Sequence, residues 1–294
     1  MFYTPYVQSM FRLHRALGPL NWTLSFASIA YADVAEARNF LLTHWFDKTD
    51  ASHLLFVDAD MGFEAQLIVD MLGLNKPVVG VVAPRRQINL RRLAKLSGEG
   101  QNAATAIARS HDFIVRPVQG RAPHRLKGFM EVEGCGAGIL LIARNCIETM
   151  LGKLPEIDDK RAAKTSPIAR NVNRLIRAFD PLTVNGARLS EDFAFCHRWR
   201  GTGGEIWART DKAVTHIGLH RFEARYADAS GPHILMERLP QPAIAGRKPG
   251  TSGGGGRVRA AGAALAVREG GRASNVIRGK LAPPAKGDKG KNKH

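Results

Sequence analysis

The chain has 294 residues, 44% of them hydrophobic, which suffices for one large domain or two small ones and excludes disorder throughout. Its formal net charge of +17 favours an anionic partner such as nucleic acid, a membrane surface or a phosphorylated substrate. No apolar run approaches the roughly 18 residues of a membrane helix. The N-terminus also lacks the apolar core of a signal peptide, so we predict a cytoplasmic protein.

The positive charge is concentrated at the C-terminal end. Residues 240–294 contain 12 Lys and Arg against 2 acids, whereas residues 1–239 are only mildly basic. The same segment is rich in Gly, Ala, Pro and Lys, which predicts a disordered tail. Its weak apolar patch, Ala260–Val267, favours at most a transient helix. We expect this tail to contact nucleic acid or to hold the protein peripherally at an anionic membrane surface.

The cysteine content excludes a disulfide framework. Cys135, Cys146 and Cys196 match no zinc or redox spacing, and three cysteines cannot all pair. We predict buried free thiols in a reducing compartment.

Hydrophobic periodicity predicts helices and strands in alternation from the N-terminus onward. The predicted helices are Tyr6–Leu17, Asp33–Trp45, Glu64–Leu74, Asn89–Ala108 with an interruption at 97–100, Asn145–Leu151 and Ser190–Arg200. The predicted strands are Trp22–Ile29, Leu54–Asp60, Pro77–Ala83, Phe113–Val118, Gly128–Val132, Ile139–Ala143, Glu205–Ala208 and Lys212–His216. Residues 152–189 are polar and basic, which predicts a flexible loop or one that becomes ordered on binding.

Two aspartates follow directly after an apolar strand. Asp58 and Asp60 end the run that begins at Leu54, and open α/β sheets bind ligands at the carboxyl ends of their strands. Because residues i and i+2 of an extended chain point the same way, we expect both carboxylates on one side. Such a pair suits Mg²⁺ or Mn²⁺, whose remaining ligands are waters and substrate phosphates. The alternative is a solvated turn that contains two acids.

Basic side chains lie near the same predicted sheet edge. The second helix carries Arg38 and Asn39, and Arg85 and Arg86 follow the strand after the aspartates. Two arginines at such a place suit a diphosphate or a sugar acid. The alternatives are a surface charge for Arg38 and an exposed basic loop for Arg85 and Arg86.

A further acidic pair begins the helix near residue 190. Ser190 can cap that helix, and Glu191 and Asp192 in its first turn suit the helix dipole. The alternative is a well-capped helix without a chemical role. His216 ends the last predicted strand, where a lone histidine is more often structural than a metal ligand.

Closely spaced glycines precede the strand Ile139–Ala143. Gly136 and Gly138 lead into this apolar run instead of leading a strand into a helix, so we exclude a dinucleotide-binding fingerprint. Closely spaced glycines either let the backbone approach a ligand or form a bulge.

Four short segments carry a resemblance to a known family. They are Ala37-Arg38-Asn39, residues 54–63 (LLFVDADMGF), residues 136–144 (GAGILLIAR) and residues 189–199 (LSEDFAFCHRW) with the sequel 215–218 (THIG). In this order they resemble a glycosyltransferase of the GT-A fold, similar to the family 2 type enzymes. The resemblance spans roughly residues 5–225. It implies an α/β domain over residues 1–239, with a mixed, mostly parallel central sheet flanked by helices.

The resemblance also implies roles at the acidic positions. Asp58 and Asp60 match the D-x-D pair that holds Mn²⁺ or Mg²⁺ against the diphosphate of a nucleotide-sugar donor. His216 matches a late histidine that completes the metal site. Glu191 and Asp192 match the acidic pair over the acceptor site, where Asp192 is the general base of an inverting, hexosyltransferase-like reaction.

The remaining matches concern the donor and the acceptor. Arg38 and Asn39 match a helix beside the nucleotide, and the Gly136–Gly138 turn matches a segment beside the donor sugar. The predicted nucleotide-sugar-binding residues are therefore Arg38, Asn39, Asp58, Arg85, Gly136 and Gly138. The resemblance implies sugar transfer to an acceptor hydroxyl on a glycan, a lipid-linked carrier or a protein, in glycan or surface polysaccharide synthesis.

The resemblance has one departure, and two other functions stay open. The family usually opens with a strand that cradles the nucleobase, whereas this sequence begins almost inside its first predicted helix, which implies weaker base recognition. A basic nucleic-acid-binding protein explains the tail but not the four acids. A nucleotidyltransferase also uses a metal with nearby carboxylates.

Overall fold

A computed structural model gives the architecture of most of the chain. The structure describes residues 2–162, 166–169, 171–218, 221–225 and 263–269. Within these ranges no helix is long and apolar enough to cross a membrane.

Helices and strands alternate along the described chain. The helices are α1 (Thr4–Leu17), α2 (Val34–Lys48), α3 (Ala65–Gly73), α4 (Leu90–Gly98), α5 (Ala103–Arg109), α6 (Arg144–Lys153) and α7 (Glu191–Gly201). The strands up to residue 143 are β1 (Trp22–Ser28), β2 (His53–Val57), β3 (Met61–Gly62), β4 (Val78–Val81), β5 (Pro84–Ile88), β6 (His111–Phe113), β7 (Val115–Pro117), β8 (Arg125–Leu126), β9 (Phe129–Cys135) and β10 (Ile139–Ala143). The later strands are β11 (Asp158–Asp159), β12 (Leu175–Ile176), β13 (Leu182–Val184), β14 (Ala187–Leu189), β15 (Ile206–Arg209), β16 (Val214–Ile217), β17 (Arg221–Ala224) and β18 (Ala263–Glu269).

Nine strands form one mixed sheet, in the order β1-β18-β2-β10-β4-β15-β9-β7, with β8 paired to β9. An α/β fold with a mixed sheet and flanking helices is therefore confirmed. The prediction that the sheet is mostly parallel is wrong, because only β4 and β15 pair in parallel within the described part of the chain. Strands β18 and β10 run antiparallel on either side of β2, and so they separate the strands that share its direction.

The sheet is buried on both faces, which explains why β2 reads as a continuous apolar run. Leu54 and Phe56 point into a core shared with α2, α6 and α7. Leu55 and Val57 point into the opposite core, shared with α1 and α3. The alternation along one strand therefore places helices in a layer on each side of the sheet.

The C-terminal segment contains a strand where the composition predicted disorder. Residues 263–269 form β18, which pairs antiparallel with β1 from Ser28 to Trp22 and with β2 from Val57 to His53. The prediction of a disordered tail is wrong for this segment. The transient helix predicted over Ala260–Val267 is wrong for residues 263–267, and residues 260–262 lie outside the described residues. Strand pairing overrides the local composition because β1 and β2 both present unpaired backbone groups between them. Residues 240–262 and 270–294 lie outside the described residues.

Removing β18 is expected to destabilise the domain. Deletion of residues 263–294 leaves the facing edges of β1 and β2 without partners, at a net cost of about 0.5–1.5 kcal/mol per lost hydrogen bond. We expect the melting temperature to fall by at least about 5 °C, because about 1 kcal/mol shifts it by about 2–4 °C in a domain of this size. Differential scanning calorimetry measures this change. Deletion of residues 270–294, which keeps β18, is the matched control, and equal melting temperatures for the two deletions would contradict the pairing.

The segment 152–189 is more ordered than its polar composition predicted. It contains the pairs β11–β12 and β13–β14, and Phe179 is fully buried. The Phe179 ring stacks on that of Phe195, with centroids 4.6 Å apart, and meets that of Phe56 edge to face at 5.3 Å. One aromatic anchor therefore ties this segment to the sheet and to α7.

The remaining local predictions hold in outline. The helix predicted over Asn89–Ala108 is interrupted as expected, between α4 and α5. The strand predicted over Phe113–Val118 is divided at Ile114, because β6 pairs with β5 whereas β7 pairs with β9. All three cysteines are buried and free, as predicted.

Candidate functional site

The site lies where β2 ends and β10 begins. These strands are antiparallel with Val57 opposite Ile139, so the end of one and the start of the other share a sheet edge. The backbone N–H of Asp58 donates to the carbonyl oxygen of Gly138 at 2.9 Å. The predicted position of Asp58 at the carboxyl end of a buried strand is therefore confirmed.

The two aspartates of the D-x-D segment do not lie on an extended chain. The N–H of Met61 donates to the Asp58 carbonyl oxygen at 2.9 Å, which closes a turn over residues 58–61. Because of this turn, the carboxylates of Asp58 and Asp60 bind different partners. The extended geometry from which we expected both carboxylates on one side is therefore absent.

Arg38 links Asp58 to the acidic pair of α7. Its Nη2 donates to Asp58 Oδ1 at 3.1 Å, and its Nη1 donates to Glu191 Oε1 at 3.2 Å and to Asp192 Oδ1. The Arg38 side chain is only 4% exposed, and the Phe179 ring lies 6.0 Å from its guanidinium. Arg38 is therefore an internal counter-ion and not the surface charge considered as an alternative.

The four-residue ion cluster of Arg38, Asp58, Glu191 and Asp192 is under-neutralised. One guanidinium faces three carboxylates, so two negative charges remain within the cluster. Burial by itself lowers the pKa of Arg38, but the three carboxylates raise it overall. Burial raises the pKa of Asp58, and the neighbouring charges of Asp60 and Asp192 raise it further against the opposing effect of Arg38. Such a cluster favours an added cation or proton.

The predicted glycine turn passes between these carboxylates. A Cβ atom added at Gly138 would lie 3.6 Å from Asp58 Oδ2, and one added at Gly136 would lie 3.7 Å from Asp192 Oδ2. The same Cβ atoms would also meet other side chains, Ile114 at 3.3 Å from Gly136 and Met61 at 3.6 Å from Gly138. The two glycines therefore let the backbone pass close to Asp58 and Asp192.

Asp60, His216 and Arg86 form a second group beside the cluster. Strand β16 pairs with β3, which places His216 opposite Met61, and the Ile217 N–H donates to the Asp60 carbonyl oxygen at 2.8 Å. The Asp60 carboxylate accepts from Arg86 Nη1 at 2.9 Å and lies 3.6 Å from His216 Nε2. Burial raises the pKa of Asp60, but His216 and Arg86 together lower it below its usual value. Asp60 is therefore ionised at neutral pH.

Asp60 and His216 supply an oxygen and a nitrogen of the kinds that bind a divalent cation, and in this structure Arg86 binds the same Asp60 oxygen. His216 Nδ1 lies 2.8 Å from the Pro84 carbonyl oxygen, and since that oxygen only accepts, Nδ1 carries the hydrogen. Nε2 is then directed at Asp60, and a backbone carbonyl that fixes a histidine in this way is typical of metal-binding histidines. Asp58, the third predicted ligand, is instead bound by Arg38. Among the described residues, no group of three or more His, Cys, Asp or Glu side chains could hold a metal ion.

Asn39 supports the site without facing it. It is 0% exposed, its Nδ2 donates to Asp180 Oδ1 at 2.6 Å, and its Oδ1 accepts the Phe179 N–H at 2.8 Å. The predicted contact of Asn39 with a nucleotide is therefore wrong, because both polar atoms hold the segment that carries Phe179. Its neighbours in sequence offered no signal for this role.

The two predicted arginines of β5 differ in their contacts. Arg86 reaches Asp60 with a side chain that is 40% exposed. Arg85 is half-buried, and its Nε has no hydrogen-bond partner within the described ranges. The described contacts thus bring Arg86 to the site, whereas they do not bring Arg85 there.

The helix α7 presents its acids from its first turn. Glu191 and Asp192 are the first two residues of the helix, where its dipole stabilises negative charge. Ser190 stands at the N-cap, but its side chain makes no capping hydrogen bond, so that prediction is wrong. A cavity of about 490 Å³ opens beside this turn. Its lining residues are Ala32, Asp33, Val34, Ala35, Pro181, Arg188 and Glu191.

Comparison with known proteins adds little to this geometry. No protein family matches the chain, and no curated protein does. Among solved structures the chain is similar to A197 from STIV, with 18% identity and a TM-score of 0.33 over 64% of this chain and 69% of that one. A similarity of this size carries no argument about fold or function.

Proposed function

We propose that the chain transfers a sugar from a nucleotide-sugar donor to an acceptor hydroxyl, as a metal-dependent glycosyltransferase similar to the GT-A enzymes. One observation carries the proposal: the segments that bear the resemblance meet in space. Arg38 contacts Asp58, Glu191 and Asp192, which lie 20, 153 and 154 residues further along the chain. His216 likewise meets Asp60.

The donor is proposed to bind over Asp60 and His216. Asp60 and His216 would hold a divalent cation there, and that cation would supply Lewis-acid stabilisation for the negative charge that develops on the departing nucleoside diphosphate. Arg86 is exposed enough to leave Asp60 and to donate to the diphosphate instead.

The acceptor is proposed to enter through the cavity beside Glu191. Asp192 binds Arg38 through Oδ1, whereas its Oδ2 lies 3.7 Å from the position of a Cβ atom at Gly136. Oδ2 takes the proton of the acceptor hydroxyl as that oxygen bonds to the anomeric carbon. The bond from that carbon to the diphosphate breaks at the same time, and its electron pair leaves with the nucleoside diphosphate. Arg38 holds Asp192 in place during this exchange.

The test is metal-dependent nucleotide binding with Asp60→Asn. Nucleoside diphosphate at about 100 times its dissociation constant adds about 2.7 kcal/mol of stability, so with Mn²⁺ we expect the melting temperature to rise by about 5–10 °C. Asp60→Asn should abolish this rise, because the metal loses its charged ligand. Asp70→Asn is the matched control, since Asp70 also pairs with an arginine, Arg209, at 3.1 Å. An unchanged rise in Asp60→Asn would contradict the proposed metal site.

The alternatives make different products. A glycosyltransferase releases nucleoside diphosphate from a nucleotide sugar, whereas a nucleotidyltransferase releases pyrophosphate from a nucleoside triphosphate. Incubating the full chain with a panel of both substrate classes and Mn²⁺ distinguishes them. Consumption of nucleoside triphosphates alone would replace the proposed function.

A further inference from the structure

Exposed apolar side chains are concentrated near the N-terminus. Five of the eight large hydrophobic side chains that are exposed within the described residues lie in the first 26 positions: Phe2, Val7, Phe11, Leu20 and Phe26. The Phe2 ring stacks on that of Tyr6 at 5.1 Å and meets that of Phe26 at 6.2 Å. The N-terminal end of α1 and the strand β1 are therefore in contact through these aromatic rings.

Helix α1 presents the most exposed of these side chains directly outward. Its buried residues, Tyr6, Leu13 and Leu17 among them, face the core that α1 shares with α3. Phe11 is 70% exposed and lies on the opposite side of the helix at 100° per residue. Val7 is four residues before Phe11, so the two share the outward face.

The ionic side chains that α1 itself contributes around this face are all basic. Residues 1–32 contain Arg12, His14 and Arg15 but no Asp or Glu. Arg15 and His14 follow Phe11 by four and three residues, which places them beside it on the helix surface. Arg12 is partly neutralised by Glu64, the residue before α3, at 2.9 Å. Exposed aromatic residues next to basic side chains are typical of helices that lie in the headgroup region of a bilayer.

We propose that the outward face of α1, which carries Val7 and Phe11, docks on an anionic lipid surface. A second copy of the chain fits less well, because a symmetric interface would bring Arg15 and His14 close to their own copies. The basic segment 270–294 has the same sign of charge and fits less well for the same reason. An anionic bilayer supplies both the missing negative charge and an apolar layer for Phe11.

Vesicle co-sedimentation of the full chain tests this surface. The probe is phosphatidylcholine vesicles with one part in three of phosphatidylglycerol. We expect Phe11→Ser to lower the partition coefficient about tenfold, as for loss of one buried aromatic side chain. Leu90→Ser is the matched control, because Leu90 is 71% exposed on α4, and it should change binding by less than about twofold. Arg15→Glu should weaken binding about tenfold, while Arg91→Glu on α4 should have a much smaller effect.

The same experiment separates the contribution of Phe11 from electrostatic binding by the basic C-terminal segment. At about 0.5 M salt the Debye length falls to about 4 Å, so purely electrostatic binding is lost and the contribution of Phe11 remains. Equal losses of vesicle binding for Phe11→Ser and Leu90→Ser would overturn the proposal. So would a wild-type dimer, by sedimentation velocity, that dissociates on Phe11→Ser without any change in vesicle binding.

A second variant reads the depth of insertion directly. Phe11→Trp should be quenched by brominated phospholipid at least twofold more strongly, relative to the native tryptophans, than Leu90→Trp. This readout does not depend on the loss of an interaction, and Trp at an exposed helix position does not require repacking of the core. Equal quenching of the two variants would overturn the proposal.

Discussion

Under the proposed function, Asp192→Asn is expected to lower the rate of sugar transfer about a hundredfold to ten-thousandfold while nucleotide binding is retained. This range is that of a general base in hydroxyl chemistry. The substitution keeps the size of the side chain and an oxygen that accepts from Arg38, but it removes the acceptor of the hydroxyl proton. The measurement is steady-state release of nucleoside diphosphate, with the nucleotide sugar that the wild-type chain consumes fastest.

The matched control for this prediction is another carboxylate that pairs with an arginine. Asp47 binds Arg174 at 2.7 Å and lies outside the ion cluster. Asp47→Asn should leave the rate within about twofold, since surface changes of this kind rarely alter stability by more than about 0.5 kcal/mol. A transfer rate in Asp192→Asn close to that of Asp47→Asn would contradict the role of Asp192 as the general base. It would favour a retaining mechanism.

Arg38→Met is expected to destabilise the fold by about 3–5 kcal/mol at neutral pH, as does removal of one partner from a buried ion pair. The substitution leaves Asp58, Glu191 and Asp192 without their common counter-ion, in a place where Arg38 is only 4% exposed. Urea unfolding followed by circular dichroism measures the effect. Asp58→Asn added to Arg38→Met should recover part of the loss, because it removes one of the stranded charges.

Arg38→Met should also change how the free energy of unfolding depends on pH. Burial already raises the pKa of Asp58, and without Arg38 the main opposing effect is lost, so the folded state binds more protons than the unfolded state. Stability then falls as pH rises, and the difference between wild type and variant should shrink from pH about 7 to pH about 4.5. Arg174→Met is the control, since Arg174 is 22% exposed and pairs with Asp47 and Asp158. Arg174→Met should lower the free energy of unfolding by about 1 kcal/mol or less at every pH. An equally small loss for Arg38→Met would contradict a stabilising role of Arg38 in the ion cluster.

Local signals explain which parts of the fold were predictable. The helices α1, α2 and α3 begin and end within a few residues of their predicted bounds, because apolar periodicity and breakers such as Gly18-Pro19 act within one element. Strand β18 was not predictable from the same signals. Its sequence is weakly apolar, and its conformation depends on the two strand edges that it joins.

The residues of the candidate site also differ in how far the sequence predicted their positions. The position of Asp58 after a buried strand was readable from the run that precedes it. The roles of Asn39 and Arg38 were not, since the partners of Asn39 lie about 140 residues away and those of Arg38 lie up to 154 residues away. Charge patterns in sequence do not reveal which buried carboxylate meets which guanidinium.

By itself, the sequence determined an alternating helix and strand chain, three buried thiols and an acidic pair at the end of an apolar strand. Only the tertiary structure decided that Asp58 faces Arg38, that Asp60 faces His216, and that a C-terminal strand completes the sheet. The physical reason is range: periodicity and capping act over a few residues, whereas ion pairs and strand pairing form only after distant segments have packed.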